Sequence, residues 1–89
     1  MTPVEAWSAV VSGEAAAAYA YSVAGGRVPS AARRRAIAGL DAHRANGSRA
    51  SALVSAAGGT PPVAAAAYDL PDDVRTPKGA RRTLAEVEN

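Results

Sequence analysis

The chain has 89 residues, a length that allows one small domain. It contains no cysteine, which excludes disulfides, thiolate-bound zinc and cysteine-bound iron–sulfur clusters. The net charge of +2 is too small to indicate nucleic-acid binding by itself. We expect a soluble cytoplasmic protein, because the N-terminus lacks the basic and apolar regions of a signal peptide. No apolar run approaches the roughly 20 residues of a membrane span either.

The first predicted element is a helix over residues 3–24. Thr2 and Pro3 have the residue types that favour a helix N-cap and first turn. Residues that would form one inward face then recur at steps of three and four: Val4, Trp7, Val11, Glu14, Ala18 and Tyr21. We expect Trp7 and Tyr21, like Tyr19, to pack in the core or at its edge. Gly25-Gly26 ends the helix, with glycine in the left-handed conformation of a C-cap.

A second helix is predicted over residues 31–57, with Ser30 as its N-cap. Its inward face consists of Ala36, Leu40, His43, Gly47, Ala50, Val54 and Ala57, widened by Ile37 and Leu53. The short link before it predicts that the first two helices are antiparallel. Asn46-Gly47 favours a turn, so the helix either continues there for close packing or kinks near Ala45. We favour a continuous helix.

Residues 58–76 are predicted to form a loop that crosses the end of the helix pair, anchored by Tyr68 and Leu70. Its prolines forbid a regular helix. Thr76-Pro77 repeats the signal for a helix start, and a short third helix follows over residues 77–88. The fold class is therefore all-α: a long antiparallel helical hairpin, a loop and a short third helix, in a single domain over residues 1–89.

Four segments, in this order and spacing, resemble the actinobacterial ferritin-like domain family DUF4439. They are Gly13–Tyr21, Ala42-His43-Arg44, Ala56–Pro62 and Ala67–Pro71. The resemblance implies a ferritin-like four-helix bundle with a long loop between helices two and three. Because family members are longer, we expect this chain to be a partial domain that ends inside helix three. Such a portion of a bundle can be completed by dimerisation.

The resemblance also implies candidate metal ligands. Ferritin-like sites take one Glu from each of two helices and a Glu-x-x-His motif from each of the other two. Glu14, His43 and Glu88 match three of these positions, and iron or manganese would be the metal. Leu40 stands where the motif of helix two requires Glu. The alternative, which we favour, is that Glu14 pairs with His43 or with an arginine of a neighbouring helix, because a buried charge needs a partner. His43 is the partner that we expect, since both residues lie about three turns from the link.

Two functional hypotheses follow. The leading one is a non-catalytic interaction module without a cofactor, which forms a homodimer through its apolar helix face. The alternative is a metal-binding, oxidoreductase-like protein of the di-iron or di-manganese type, completed by dimerisation. No catalytic residue is predicted: the serines lack a nucleophile motif, and no glycine-rich phosphate loop is present. Residues Arg33–Arg35 point in three directions on a helix and form no single basic patch, so we do not expect a nucleic-acid partner. We expect no membrane partner either, because the sequence has no apolar run long enough to span one.

Overall fold

Three α-helices form the fold. The computed structural model describes residues 1–88 and contains α1 (Pro3–Ala24), α2 (Ser30–Ala56) and α3 (Pro77–Glu88), with a 3-10 turn at Gly25–Arg27 between the first two. No strand occurs in this part of the chain. α1 and α2 form the long hairpin, and α3 packs on α1 and the 3-10 turn while touching α2 only marginally. The prediction of an all-α fold with a helical hairpin and a short third helix is confirmed.

The two ends of α1 form in different ways. The Glu5 N–H donates to Thr2 Oγ1 over 3.1 Å and Pro3 opens the helix, so the predicted N-cap is confirmed. The predicted left-handed C-cap at Gly25 is wrong, because Gly25 is right-handed (φ −59°, ψ −30°) and the chain continues into the 3-10 turn. A Cβ there would lie 3.1 Å from that of Ala36. Gly25 therefore serves close packing of the two helices.

α2 runs without interruption through Asn46-Gly47. The helix tolerates glycine here because Gly47 lies over Glu14 of α1, where a Cβ would stand 3.5 Å from Glu14 Cβ. The predicted N-cap at Ser30 is wrong: Ser30 is the first helical residue, and Pro29, which has no side-chain acceptor, occupies the cap position. At the other end Gly58 takes the left-handed conformation, with φ +88°.

Two glycines of α2 are expected to respond in opposite ways to alanine. Gly47→Ala should raise stability by about 0.5–1 kcal/mol, because helix propensity improves and the new methyl group makes an ordinary contact. Gly39→Ala should lower stability, since its Cβ would lie 2.5 Å from the ring of the buried Tyr21. Urea unfolding followed by circular dichroism measures both. A stabilised Gly39→Ala variant would contradict the packing of Tyr21 against α2.

The core consists of two clusters at opposite ends of the hairpin. Near the link, the cluster contains Ala24, Val28, Val74 and Ala80. At the far end it contains Val11, Ala50 and Val54, with Val4 packed against them. Three large side chains predicted to pack inside are instead exposed: Trp7 (39%), Ile37 (53%) and Leu53 (41%). No element among residues 1–88 covers these side chains.

The loop between α2 and α3 is held by the two predicted anchors. The Tyr68 ring packs against Tyr19 at a centroid distance of 5.7 Å, and Leu70 packs on the cluster near the link. Thr76 Oγ1 accepts the Gly79 N–H over 3.1 Å and caps α3, as its sequence signal indicates. None of the helices within residues 1–88 combines the length and apolar character that a membrane crossing needs.

Candidate functional site

The two inward polar residues of the hairpin contact each other. Glu14 lies near the middle of α1 and His43 near the middle of α2, and the antiparallel arrangement sets them at the same level. His43 Nδ1 donates to Glu14 Oε2 over 2.5 Å. The side chains of Glu14 and His43 are only 21% and 18% exposed, so water could not solvate either charge well if the other were absent. The predicted Glu14–His43 pair is therefore confirmed.

The third helix supplies a second carboxylate to the same imidazole. α3 packs along α1 so that its last residue, Glu88, reaches the other side of the ring, where His43 Nε2 donates to Glu88 Oε1 over 2.9 Å. Tyr21 then donates its hydroxyl to that same Glu88 oxygen. Its ring lies 5.2 Å from the His43 ring, centroid to centroid. We call Glu14, His43, Glu88 and Tyr21 the four-residue network.

The DUF4439 model, which describes a domain of unknown function, matches residues 6–89. The chain belongs to the DUF4439 family. No curated protein and no solved structure matches it. The four-residue network therefore lies within the matched part of the DUF4439 domain, with one member or more on each of its three helices.

Protonation of His43 completes the network of this DUF4439 domain. Each ring nitrogen faces a carboxylate oxygen, and only the doubly protonated ring can donate to both. Burial by itself lowers the pKa of His43, but the hydrogen bonds and charges of Glu88 and Glu14 outweigh burial. The pKa of the ring therefore stands above its ordinary value of 6.5. The network favours an imidazolium between two carboxylates.

Glu88 and Tyr21 are shifted in the directions that support this arrangement. The hydrogen bond from Tyr21, followed by the one from His43, lowers the pKa of Glu88. Burial of the Tyr21 phenol, together with its bond to the negatively charged Glu88, raises the pKa of Tyr21 to about 12. Tyr21 therefore stays a donor and Glu88 stays ionised throughout the neutral range.

The network of the DUF4439 domain contains all three residues that were predicted as metal ligands. Glu14, His43 and Glu88 come together, but the carboxylates bind opposite nitrogens of one ring. Across residues 1–88, no three His, Asp or Glu side chains are grouped so that they could hold a metal ion. Leu40, three residues before His43, is half-buried and lies beside Tyr21 and Ile37. Metal binding by the three residues stays a prediction.

Tyr21 is the member that the sequence interpretation missed. Helical spacing predicts only a packing role for Tyr21; its ring is buried, and its hydroxyl is in addition a polar contact of the site. A signal was present: Tyr21 follows Glu14 by seven residues, which is about two helical turns, so the two residues share one face. A buried tyrosine on the face of a buried carboxylate needs a hydrogen-bond partner for its hydroxyl.

Proposed function

We propose that this DUF4439 domain is a non-catalytic helical interaction module of ferritin-like ancestry that associates with a second copy of itself. The observation that carries the proposal is the space between α2 and α3. α1 contacts both of these helices, whereas α2 and α3 meet only marginally. A groove of about 320 Å³ remains between them, lined by Tyr21, Ala32, Arg35, Leu84, Ala85 and Glu88. We call it the open groove.

Several exposed apolar side chains lie on the same side of the molecule as the open groove and continue its surface. On α1, Val10 precedes the groove-lining Tyr21 by eleven residues, about three turns, so the two lie in line, and Trp7, three residues before Val10, is its neighbour on the helix surface. On α2, Leu53 follows Arg35 by 18 residues, about five turns. Trp7, Val10 and Leu53 are each about 40% exposed. Apolar side chains grouped on one side favour a protein partner.

The four-residue network supports a structural role for the polar residues. Both ring nitrogens of His43 are engaged, and its charge is compensated by the two carboxylates. A group so fully paired within the chain holds α3 against the hairpin and needs no ligand to satisfy it. The network lies beside the open groove through Tyr21 and Glu88, so it also fixes the shape of the surface that a second copy would contact.

Self-association can be tested on the intact chain. Size-exclusion chromatography with light scattering should give twice the chain mass of 8.9 kDa. Trp7→Lys should weaken the dimer about thirtyfold, because a tryptophan at the centre of an interface commonly contributes about 2 kcal/mol or more. Val63→Lys, which changes a 95% exposed valine of the loop, is the matched control and should leave the dimer intact. A monodisperse wild-type monomer at high concentration would refute self-association.

The second candidate function is metal binding by Glu14, His43 and Glu88. The observation that favours it is their convergence, at 2.5 and 2.9 Å, of two carboxylates on one imidazole. Carboxylates and imidazole are the donor types that iron and manganese take in helical bundles. Coordination needs a neutral His43, so a metal would compete with the proton that joins the network. For all three residues to bind one ion, one of the carboxylates would also have to move to the other side of the ring, because Glu14 faces Nδ1 and Glu88 faces Nε2.

Metal content after loading tests the second candidate independently of self-association. The chain is incubated with Fe(II) or Mn(II) without oxygen, desalted and analysed, beside Glu14→Ala. The metal hypothesis expects bound metal in the wild type and a clear loss in the variant. Equal stoichiometry in both proteins would refute it, whatever the oligomeric state proves to be.

A further inference from the structure

A second hollow in the described part of the molecule lies on the other side of the hairpin from the open groove. It has a volume of about 680 Å³ and lies between α1, α2 and the part of the loop that contains Pro62, Ala64, Ala65 and Tyr68. We call it the loop cavity. Arg44 lines the loop cavity and Arg35 lines the open groove. These two residues are nine apart, about two and a half turns, and so lie on opposite faces of α2.

The size of the loop cavity and its apolar α1 wall suit a small organic molecule. Small-molecule sites commonly have volumes of about 300–1,000 Å³. The apolar part of the α1 wall includes Val11, Ala15 and Ala18, whose small side chains leave the space open. At one end stand the tilted rings of Tyr19 and Tyr68, with centroids 5.7 Å apart. A flat ring system could pack against these two aromatic side chains, edge or face.

The α2 wall supplies polar groups in a single row. Arg44, Ser48 and Ser51 are spaced by four and three residues, so they succeed each other along one face of the helix. Arg44 makes no ion pair with any carboxylate among residues 1–88. A guanidinium with two hydroxyls beside it matches a carboxylate, which accepts hydrogen bonds from both kinds of donor.

The charge of the cavity also favours an anion. Among residues 1–88, Glu14 is the only acidic residue that lines the loop cavity, and the Glu14 carboxylate is bound by the His43 ring. That contact compensates the negative charge of Glu14 and leaves the guanidinium of Arg44 as the unpaired charge. We propose that the loop cavity binds an aromatic carboxylate, with the acid group at Arg44 and Ser48 and the ring against Tyr19 and Tyr68.

The proposal is tested by titrating the ¹⁵N-labelled chain with 1-naphthoate and following its amide signals by NMR. Saturable shifts are expected at Tyr19, Ser51 and Tyr68. Arg44→Gln should weaken binding about tenfold, the loss expected for one charge-assisted contact. Arg34→Gln is the matched control: it removes an exposed arginine of the same helix that does not line the cavity, and it should leave the affinity unchanged.

Two further comparisons separate this site from general hydrophobic binding. Neutral 1-naphthamide should bind at least about tenfold more weakly than 1-naphthoate, because it cannot pair with the guanidinium. Ala65→Leu should remove binding by filling the cavity from the exposed loop. The absence of saturable shifts at millimolar 1-naphthoate would overturn the proposal. Equal affinity for acid and amide, or shifts at Ala32 and Leu84 of the open groove instead, would overturn it as well.

Discussion

Gly79→Ala is expected to destabilise the domain by about 3 kcal/mol, the upper end of the usual cost of overpacking. A Cβ at this position would lie 1.9 Å from the carbonyl oxygen of Asp73. That oxygen cannot move aside freely, because it accepts hydrogen bonds from both the N–H and the hydroxyl of Thr76, at 3.0 and 2.8 Å. The start of α3 would have to separate from the turn before it.

A displaced α3 is also expected to disturb the four-residue network, because α3 carries Glu88. Urea unfolding gives the loss of stability, and the NMR signals of the single histidine report whether Glu88 still contacts His43. Gly13→Ala is the matched control: it changes a glycine inside α1 with no atom within 4 Å of the new Cβ, and should gain about 0.5–1 kcal/mol. If Gly79→Ala were as stable as the wild type, the contact between the turn and α3 would be wrong.

His43→Gln is expected to cost about 2 kcal/mol at pH 6 and to remove the pH dependence of stability above that pH. The variant leaves two carboxylates without their cation, and Glu14 is only 21% exposed. We expect a smaller loss of stability than for a fully buried ion pair, because the Glu88 side chain is 55% exposed and water still reaches it. Glutamine keeps a polar side chain of similar reach, so the loss reports the charge and the second hydrogen bond.

The direction of the pH effect follows from the pKa of His43. Because the pKa is raised in the folded state, the folded chain holds this proton more tightly than the unfolded chain. The contribution to stability is therefore complete below the ordinary pKa of 6.5 and is lost as the pH rises through the higher pKa of the folded state. The lowered pKa of Glu88 acts in the opposite sense: its contribution is present above 4.5 and is lost as the pH falls through the folded value.

Thermal unfolding between pH 4 and pH 9 measures both effects. The melting temperature of the wild type should be highest between about pH 5 and 6 and should fall toward pH 8. The His43→Gln variant should have a flat profile above pH 6. As His43 is the only histidine of the chain, no other imidazole can produce the slope. A wild-type stability that rises from pH 6 to pH 8 would contradict the charged network.

Local signals in the sequence predicted most of the fold because each depends on nearby residues. Thr2-Pro3 and Thr76-Pro77 are helix starts whose hydroxyl acceptors lie within three residues of their donors. Where prediction failed, the deciding contact came from elsewhere in the chain. Gly25 was assigned a left-handed conformation from its position after a helix, but its proximity to Ala36 of α2 explains why a glycine occurs there.

The exposure of Trp7 and Leu53 is a second feature that local sequence signals do not predict. Spacing placed Trp7 and Leu53 on inward faces, and helical periodicity does not depend on how many neighbours surround a helix. Their burial depends on what packs outside the hairpin, and the described residues supply α3 only along the half of α1 nearer the link. Periodicity therefore predicts the helices correctly, whereas the burial that it predicts for these two side chains is wrong.

The sequence by itself determined that Glu14 and His43 meet, because two regular helices and a short link fix their levels in an antiparallel pair. It also determined that Leu40 stands three residues before His43, the position where a ferritin-like Glu-x-x-His motif would have Glu. Only the tertiary structure decided that Glu88 and Tyr21 complete the network. That depends on the angle at which α3 returns across α1 after a 20-residue connection, Ala57–Thr76. Such a long connection carries no local signal for direction, so the docking of α3 follows from packing at Val74, Gly79 and Ala80.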